Sequence, residues 1–422
     1  MTFLLLLIMA VMIPCENAIV IAGLGTLTRA IGLTAAAAWI AAVLREPRFR
    51  RPTPLHVALL FFILWNTTSL FWTFGVNETI QRVITLVQLF GMVWIIWDLT
   101  ASLAAIQAML QAYVFGAFVA IFDMVVNYLR GDSLDLRYTG AGLNANDLAL
   151  VLALALPVAW YLATCRVYGK NTLVLRLTNF AYIPAAVFGI SLTASRMGLV
   201  AMIPTVFYVL KTSVRLKLSS RILILMALAV GLSALYPYVP QATIERLATT
   251  RTSIMTADLG GRGYLWREGV RVFAEHPLLG VGGGAFPVAI QRVHGVAHNT
   301  FLSVLIELGI VGFMLFVVVL AITGRSALVQ PGRLSGLWLA VLLIWAIGSF
   351  TLTWEHAKAT WFFLALVTAG SSLITRDQRL TAILQVPARV RNLPTFSSAR
   401  RRTFTLAHVR ALNTGADSAC IH

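Results

Sequence analysis

The 422-residue chain is 59% hydrophobic and only 12% charged, yet it carries a formal net charge of +17. A soluble domain of this length needs far more surface charge, and an outer-membrane barrel would show short alternating segments. Apolar runs of about 18–25 residues recur along nearly the whole chain, the pattern of an all-α polytopic membrane protein.

Taken in order, the runs give about twelve spans: 2–22, 27–44, 55–73, 79–97, 101–128, 147–164, 175–192, 197–212, 220–237, 299–323, 334–352 and 357–375. Pro14, Glu16 and Asn17 interrupt the first. That first segment lacks a basic n-region and a small-residue cleavage site, so it reads as a retained helix. The loops REPRFRR (45–51), CRVYGK (165–170), KTSVRLKLSSR (211–221) and GRSALVQPGR (324–333), with the tail from Arg376, hold most of the 33 Lys and Arg. All fall on one side of the twelve-span arrangement, which makes that side and both termini cytoplasmic. The positive charge therefore points to topology and lipid headgroups, not to nucleic acid. The chain divides into helices 1–9 (1–237), a large extracytoplasmic loop (238–298), helices 10–12 (299–375) and a basic tail (376–422) that includes Arg400-Arg401-Arg402. Cys15, Cys165 and Cys420 lie far apart, which gives neither a disulfide framework nor a zinc signature.

Within the large loop, YLWREGVRVFAE (264–275) spaces Trp266, Val270, Phe273 and Ala274 as one apolar stripe. An amphipathic helix at the membrane interface is expected, ended by His276-Pro277. LLGVGGGAFP (278–287) reads as a flexible turn without the lysine of a phosphate-binding P-loop.

Four polar groups stand out on the extracytoplasmic side. His298 precedes a long apolar run, and an imidazole can take a proton near neutral pH. Its alternative is an ordinary loop histidine. Arg196, in SLTASRMGLV, sits between two apolar runs, where an arginine faces a cavity or partner unless it snorkels. Arg262 is flanked by glycines in DLGGRGYLWREGV, and guanidinium matches phosphate in two-point fashion. Arg246, Arg251, Arg267 and Arg271 add charge there; Arg246, Arg251 and Arg271 read as solvated. RYTGAGLNANDLA (137–149) offers Arg137, Tyr138, Asn144 and Asp147 for a ligand, and Asn146 as the helix cap. Glu307 and Asp123 are buried acids inside spans, each a candidate partner for an arginine. His294 and His298 are four apart, but Gly295 argues against the helix that a metal pair would need. No metal site is expected, and no GxSxG supports a serine nucleophile.

His298-Asn299, nine residues, then Gly309-x-x-Gly312 resembles the signature of the O-antigen ligase family. This family is related to the O-antigen polymerases and protein O-oligosaccharyltransferases. GGRGYLWREGVRVFAEHPLLGVGGGAF (260–286) is similar to the stretch these proteins carry in their large periplasmic loop, and Arg196 and Arg262 match the two arginines that precede the family's histidine. The resemblance is best over 137–312. It implies a GT-C-like glycosyltransferase of the bacterial inner membrane, active on the periplasmic face. O-antigen polysaccharide on undecaprenyl pyrophosphate would be the donor and a lipid A–core sugar the acceptor. No cofactor is implied. His298 would be the base, with Arg196, Arg262, Arg267, Asn299, Arg137, Tyr138, Asn144 and Asp147 contacting pyrophosphate or sugar. A polymerase, a protein-glycosylating transferase or a transporter of lipid-linked saccharide would use a similar cavity. One dominant loop favours the ligase, and a transporter would not need His298.

Overall fold

In the computed structural model the described residues are 1–23, 25–48, 50–133, 137–165, 172–214, 216–248, 262–290 and 295–385. The protein is a multi-pass helical membrane protein. Among the described residues, nine helices are long and apolar enough to span a bilayer. They are α2 (Leu27–Arg45), α3 (Pro54–Thr68, with a short 3₁₀ extension), α4 (Val76–Leu99), α5 (Leu103–Arg130), α6 (Ala145–Thr164), α7 (Thr172–Leu192), α10 (Leu218–Leu235), α14 (Thr300–Leu328) and α15 (Gly332–Ser349).

The other three expected spans differ in form. The apolar segment Thr2–Cys15 is shorter than the run expected over 2–22, and α1 (Thr2–Met12) forms most of it. A small antiparallel hairpin follows, with β1 (Val20–Ile21) paired to β2 (Gly25–Thr26). The 197–212 run is divided at Met202 into α8 (Arg196–Ala201) and α9 (Ile203–Ser213), where Pro204 removes a backbone donor. The last span is α16 (Lys358–Gln385), whose apolar part ends at Ile374. The expected tail therefore begins inside this helix, and Arg400-Arg401-Arg402 and Cys420 lie outside the described residues. The large loop adds α11 (Gln241–Ala248), α12 (Arg262–Glu275) and α13 (Phe286–Ala289).

Helix α6 is the core column, with 89% of its apolar window buried, and it packs on α5, α7, α15 and α8. Helices α2 and α10 sit at the periphery, with 11% and 0% buried. Polar caps set several helix starts: Thr26, Ser102, Asn144, Ser195 and Asn299 each accept a backbone N–H from the turn that follows.

Helix α14 is not continuous. Gly309 has φ 64° and ψ −170°, which breaks the helix between Leu308 and Ile310. A Cβ at Gly309 would overlap the Leu278 carbonyl, so both the dihedral and the close approach demand glycine. Gly312, three residues on, keeps helical geometry and lies against Trp65. The break frees backbone groups inside the bundle, and each must find a partner. The Ile306 carbonyl accepts from Val281 N at 3.1 Å, the Glu307 carbonyl from Gly282 N at 2.8 Å, and the Leu308 carbonyl from Trp65 Nε1 at 3.0 Å. Ile310 N donates to the Pro277 carbonyl at 2.9 Å. The glycine-rich segment 278–287, expected to be a flexible turn, is the fixed partner of this break, and Gly280 through Gly283 are buried.

Helix α12 packs on α14, but its buried side is rotated from the expected stripe. Leu265, Gly269 and Val272 are buried, whereas Val270 and Ala274 are exposed. The reason is contact: Gly269 lies against Ile306 and Phe286, where a larger side chain would not fit. Val272, Val281, Phe286, Ala297 and Ile306 form a small second core under the loop.

Gly309→Ala is expected to cost about 1–3 kcal/mol from backbone strain alone. Gly324→Ala, whose Cβ meets nothing within 4 Å, should instead be neutral or stabilising by up to ~1 kcal/mol. Thermal unfolding of both variants in detergent checks the difference; equal melting temperatures would remove the clamp described here.

Candidate active site

His298 lies in the short connection between α13 and α14, two residues before the helix begins. Its φ of 46° is in the left-handed region, uncommon for a residue with a Cβ. Two ties hold it there. Trp266 Nε1 of α12 donates to the Ala297 carbonyl at 2.9 Å. On the other side Asn299 caps α14, its Oδ1 accepting from Leu302 N at 3.0 Å. The Asn299 side chain is therefore engaged in placing the histidine. Burial and the nearby Arg262 guanidinium both lower the His298 pKa below its ordinary value. That direction favours the neutral imidazole, the form that can accept a proton. Arg262 opens α12, and burial lowers its pKa as well. Arg267, one turn on, is exposed and bonds the Gly263 carbonyl through Nε at 3.3 Å. His294, the other half of the four-residue spacing, and Arg251 lie outside the described residues.

The 137–149 segment forms a second cluster. Asn144, not Asn146, caps α6: its Oδ1 accepts from Asn146 N and Asp147 N, each at 3.0 Å. Asn146 Oδ1 instead receives Arg137 Nη2 at 2.7 Å and Ser195 Oγ at 2.9 Å. Arg137 Nε also donates to the Thr193 carbonyl at 2.8 Å, and Tyr138 N to the Leu192 carbonyl at 3.1 Å. These bonds fasten the segment to the α7–α8 turn, where Ser195 caps α8 and Arg196 is its first residue. Asp123 has a local role: it is exposed, not buried, and its Oδ2 accepts from Ala141 N at 2.7 Å.

The connection between α15 and α16 joins the two clusters. Thr300 Oγ1, beside Asn299, donates to the Leu352 carbonyl at 2.7 Å and accepts from Trp354 N at 2.8 Å. Trp354 Nε1 then donates to Asp147 Oδ1 at 2.7 Å. His298 and Asp147 thus belong to one hydrogen-bonded framework at one end of the bundle.

The same connection completes a buried charge cluster in which Glu307 has the arginine partner expected of it, while Arg82, Glu355 and His356 were not singled out from the sequence. Arg82 of α4 bonds Glu355 and reaches His356 Nδ1 at 2.8 Å, with Glu307 Oε2 at 3.9 Å. Glu307 and Glu355 are 5% and 4% exposed at the side chain, and Arg82 is 13% exposed, so solvent screens little of this. Burial raises the Glu355 pKa, but Arg82 and His356 overcome that and hold the carboxyl well below its usual range. Glu307 also accepts from Gly284 N at 2.8 Å, which ties the cluster to the glycine clamp. Arg82 inside a span, and Trp354-Glu355-His356 before an apolar run, were the available sequence signals.

Residues 181–317 match a family model described as O-antigen ligase. The chain is also 26% identical, over 362 residues, to an O-antigen ligase from Pseudomonas aeruginosa, a match that covers 81% of this chain and 83% of that protein. The family match contains Arg196, Arg262, Arg267, His298 and Asn299. Arg82, Arg137, Asp147 and Glu355 lie outside it and join the site through packing.

Arg82→Met would strand two buried carboxylates, at a cost of about 3–5 kcal/mol. Arg271→Ala, which breaks only exposed pairs with Glu268 and Glu275, should stay within ~0.5 kcal/mol. Thermal melts of the two purified variants test this; a mild effect at Arg82 would contradict the buried-charge account.

Proposed function

We propose, on the premise that this chain resembles the O-antigen ligase family along most of its length, that it transfers O-antigen polysaccharide from undecaprenyl pyrophosphate to a lipid A–core sugar. The resemblance itself implies a glycosyltransferase-type enzyme; the substrates, the base and the face of the membrane are our reading. The carrying observation is His298, held in a left-handed backbone conformation, with burial and the nearby Arg262 guanidinium lowering its pKa.

The acceptor hydroxyl oxygen attacks the anomeric carbon as its proton passes to the neutral His298 imidazole. The bond from that carbon to the pyrophosphate oxygen breaks, and the lipid pyrophosphate leaves with the electron pair. A single displacement of this kind inverts the anomeric centre. Charge grows on the leaving pyrophosphate, and a cation fixed beforehand stabilises it without reorganisation. Arg196 and Arg262 fill that role, and Arg267, exposed on the same helix as Arg262, is placed to meet the distal sugar or phosphate. No metal is required by this scheme. Arg137, Tyr138, Asn144 and Asp147 bound the saccharide side. Asp147 Oδ1 is bonded by Trp354, so its contribution is to orient that wall. Transfer takes place on the periplasmic face of the inner membrane, with both termini in the cytoplasm.

The test is reconstitution with lipid-linked polysaccharide and lipid A–core, with and without chelator. Product on lipid A–core supports the ligase; longer polyprenyl-linked chains would make the protein a polymerase. His298→Ala should lower transfer by about 10²–10⁴-fold; transfer at the wild-type rate would remove His298 as base. The pH profile carries a second prediction. A base works only when deprotonated, so the rate falls as pH falls through the His298 pKa, which lies below its ordinary value. Arg262→Gln removes one cause of that lowering, so the acid limb should move to higher pH. An unmoved limb would detach His298 from the titration.

A further inference from the structure

A groove of about 330 Å³ runs between α1, α2 and α4, on the side of the bundle where α2 is only 11% buried. Its walls are mainly apolar: Leu6 and Met9 from α1, Leu33 and Ala36 from α2, Met92 and Ile95 from α4. At one end it is lined by Arg29 and Lys358. Lys358 is offset by Glu16 at 2.9 Å. Arg29 is not: among the described residues its guanidinium has no hydrogen-bond or ion-pair partner, and its Nε is buried without one. A buried guanidinium nitrogen in the first turn of α2 with nothing to accept its proton is costly. The cationic end adjoins the buried charge cluster in sequence. Lys358 is two residues from His356, and Arg82 is one turn from Thr85, which lines the groove.

A long apolar slot capped by an unpaired guanidinium matches a hydrocarbon chain that ends in a phosphate. The volume is at the low end of the ~300–1,000 Å³ range of small-molecule sites, room for the few isoprene units next to the phosphate and not for the several chains of a glycolipid acceptor. We propose that this groove seats the phosphate-proximal isoprene units of the diphosphate-linked donor, with Arg29 as the contact for the lipid-side phosphate. The proposal rests on the donor assigned under the proposed function. Arg29 here is a binding residue, and transfer itself stays with His298.

The structure also supplies the means of testing it. Gly91 lines the groove, and a Cβ there meets nothing within 4 Å. Gly91→Leu therefore adds bulk to the slot from a position where its Cβ meets no protein atom. Gly324→Leu, also with nothing within 4 Å of its Cβ, is the control outside it. Protein in nanodiscs is titrated with undecaprenyl diphosphate free of saccharide, and phosphatidylglycerol is added as competitor. Arg29→Ala and Gly91→Leu should each weaken binding by about tenfold, the scale of one charge-assisted contact. Gly324→Leu should not. In the transfer assay both variants should raise the donor KM by a similar factor, with kcat and acceptor KM within about twofold. Unchanged binding in both variants, equal competition by phosphatidylglycerol, or a rise in acceptor KM in place of donor KM would each overturn the proposal. Unchanged melting temperatures exclude misfolding as the cause. The binding titration needs no transfer activity, so it judges the groove even if the ligase reading fails. Loss of transfer in His298→Ala beside unchanged Arg29→Ala and Gly91→Leu would sink the groove alone.

Discussion

The rule that a backbone polar group inside a membrane protein must be paired governs this site. Helix α14 violates regular pairing at Gly309, and the structure answers with a peptide from the preceding loop. Val281, Gly282 and Pro277 bond the freed groups directly, and Trp65 supplies a fourth bond. Because the partner is the loop itself, the break fastens the loop to the bundle. Helix α12 then has a fixed surface to lie on, and Trp266 can reach the Ala297 carbonyl. The placement of His298 is a consequence of that chain of contacts.

Charge follows the same route. Glu307 sits in the last turn before the break, and its carboxylate meets Gly284 N and Arg82. A lone carboxylate at this depth would be costly, and Arg82 with Glu355 and His356 shares the burden among four groups. Such a network is rigid because no member can leave without stranding another. It lies under a site proposed to handle pyrophosphate, where fixed cations are worth more than mobile ones.

Much of this was legible in the sequence. Apolar runs placed most of the membrane helices to within a few residues, because the bilayer imposes length and composition together. The His298-Asn299 pair and the arginines at 196 and 262 stood out as polar groups beside hydrocarbon. What failed was local geometry set by distant contact. The α12 stripe was off because Gly269, not a large apolar residue, makes the closest approach to α14, and periodicity cannot see a glycine as buried. Asn146 gave way to Asn144 as the cap because Arg137 and Ser195 claim its oxygen. LLGVGGGAFP looked flexible for the same composition that lets it pack against an open helix. Arg82 and Glu355 were passed over because their meaning lies in a pairing across 273 residues of chain.

The short connection between α15 and α16 gives the protein an order of assembly. Leu352, Trp354 and Glu355 bond Thr300, Asp147 and Arg82, which come from three earlier helices. A nascent chain that has inserted everything through α15 still lacks these links. Arg82 and Glu307 are already inserted, but Glu355 has not yet reached the arginine, and the two clusters of the site remain unjoined. These links close only when the last hairpin is in place.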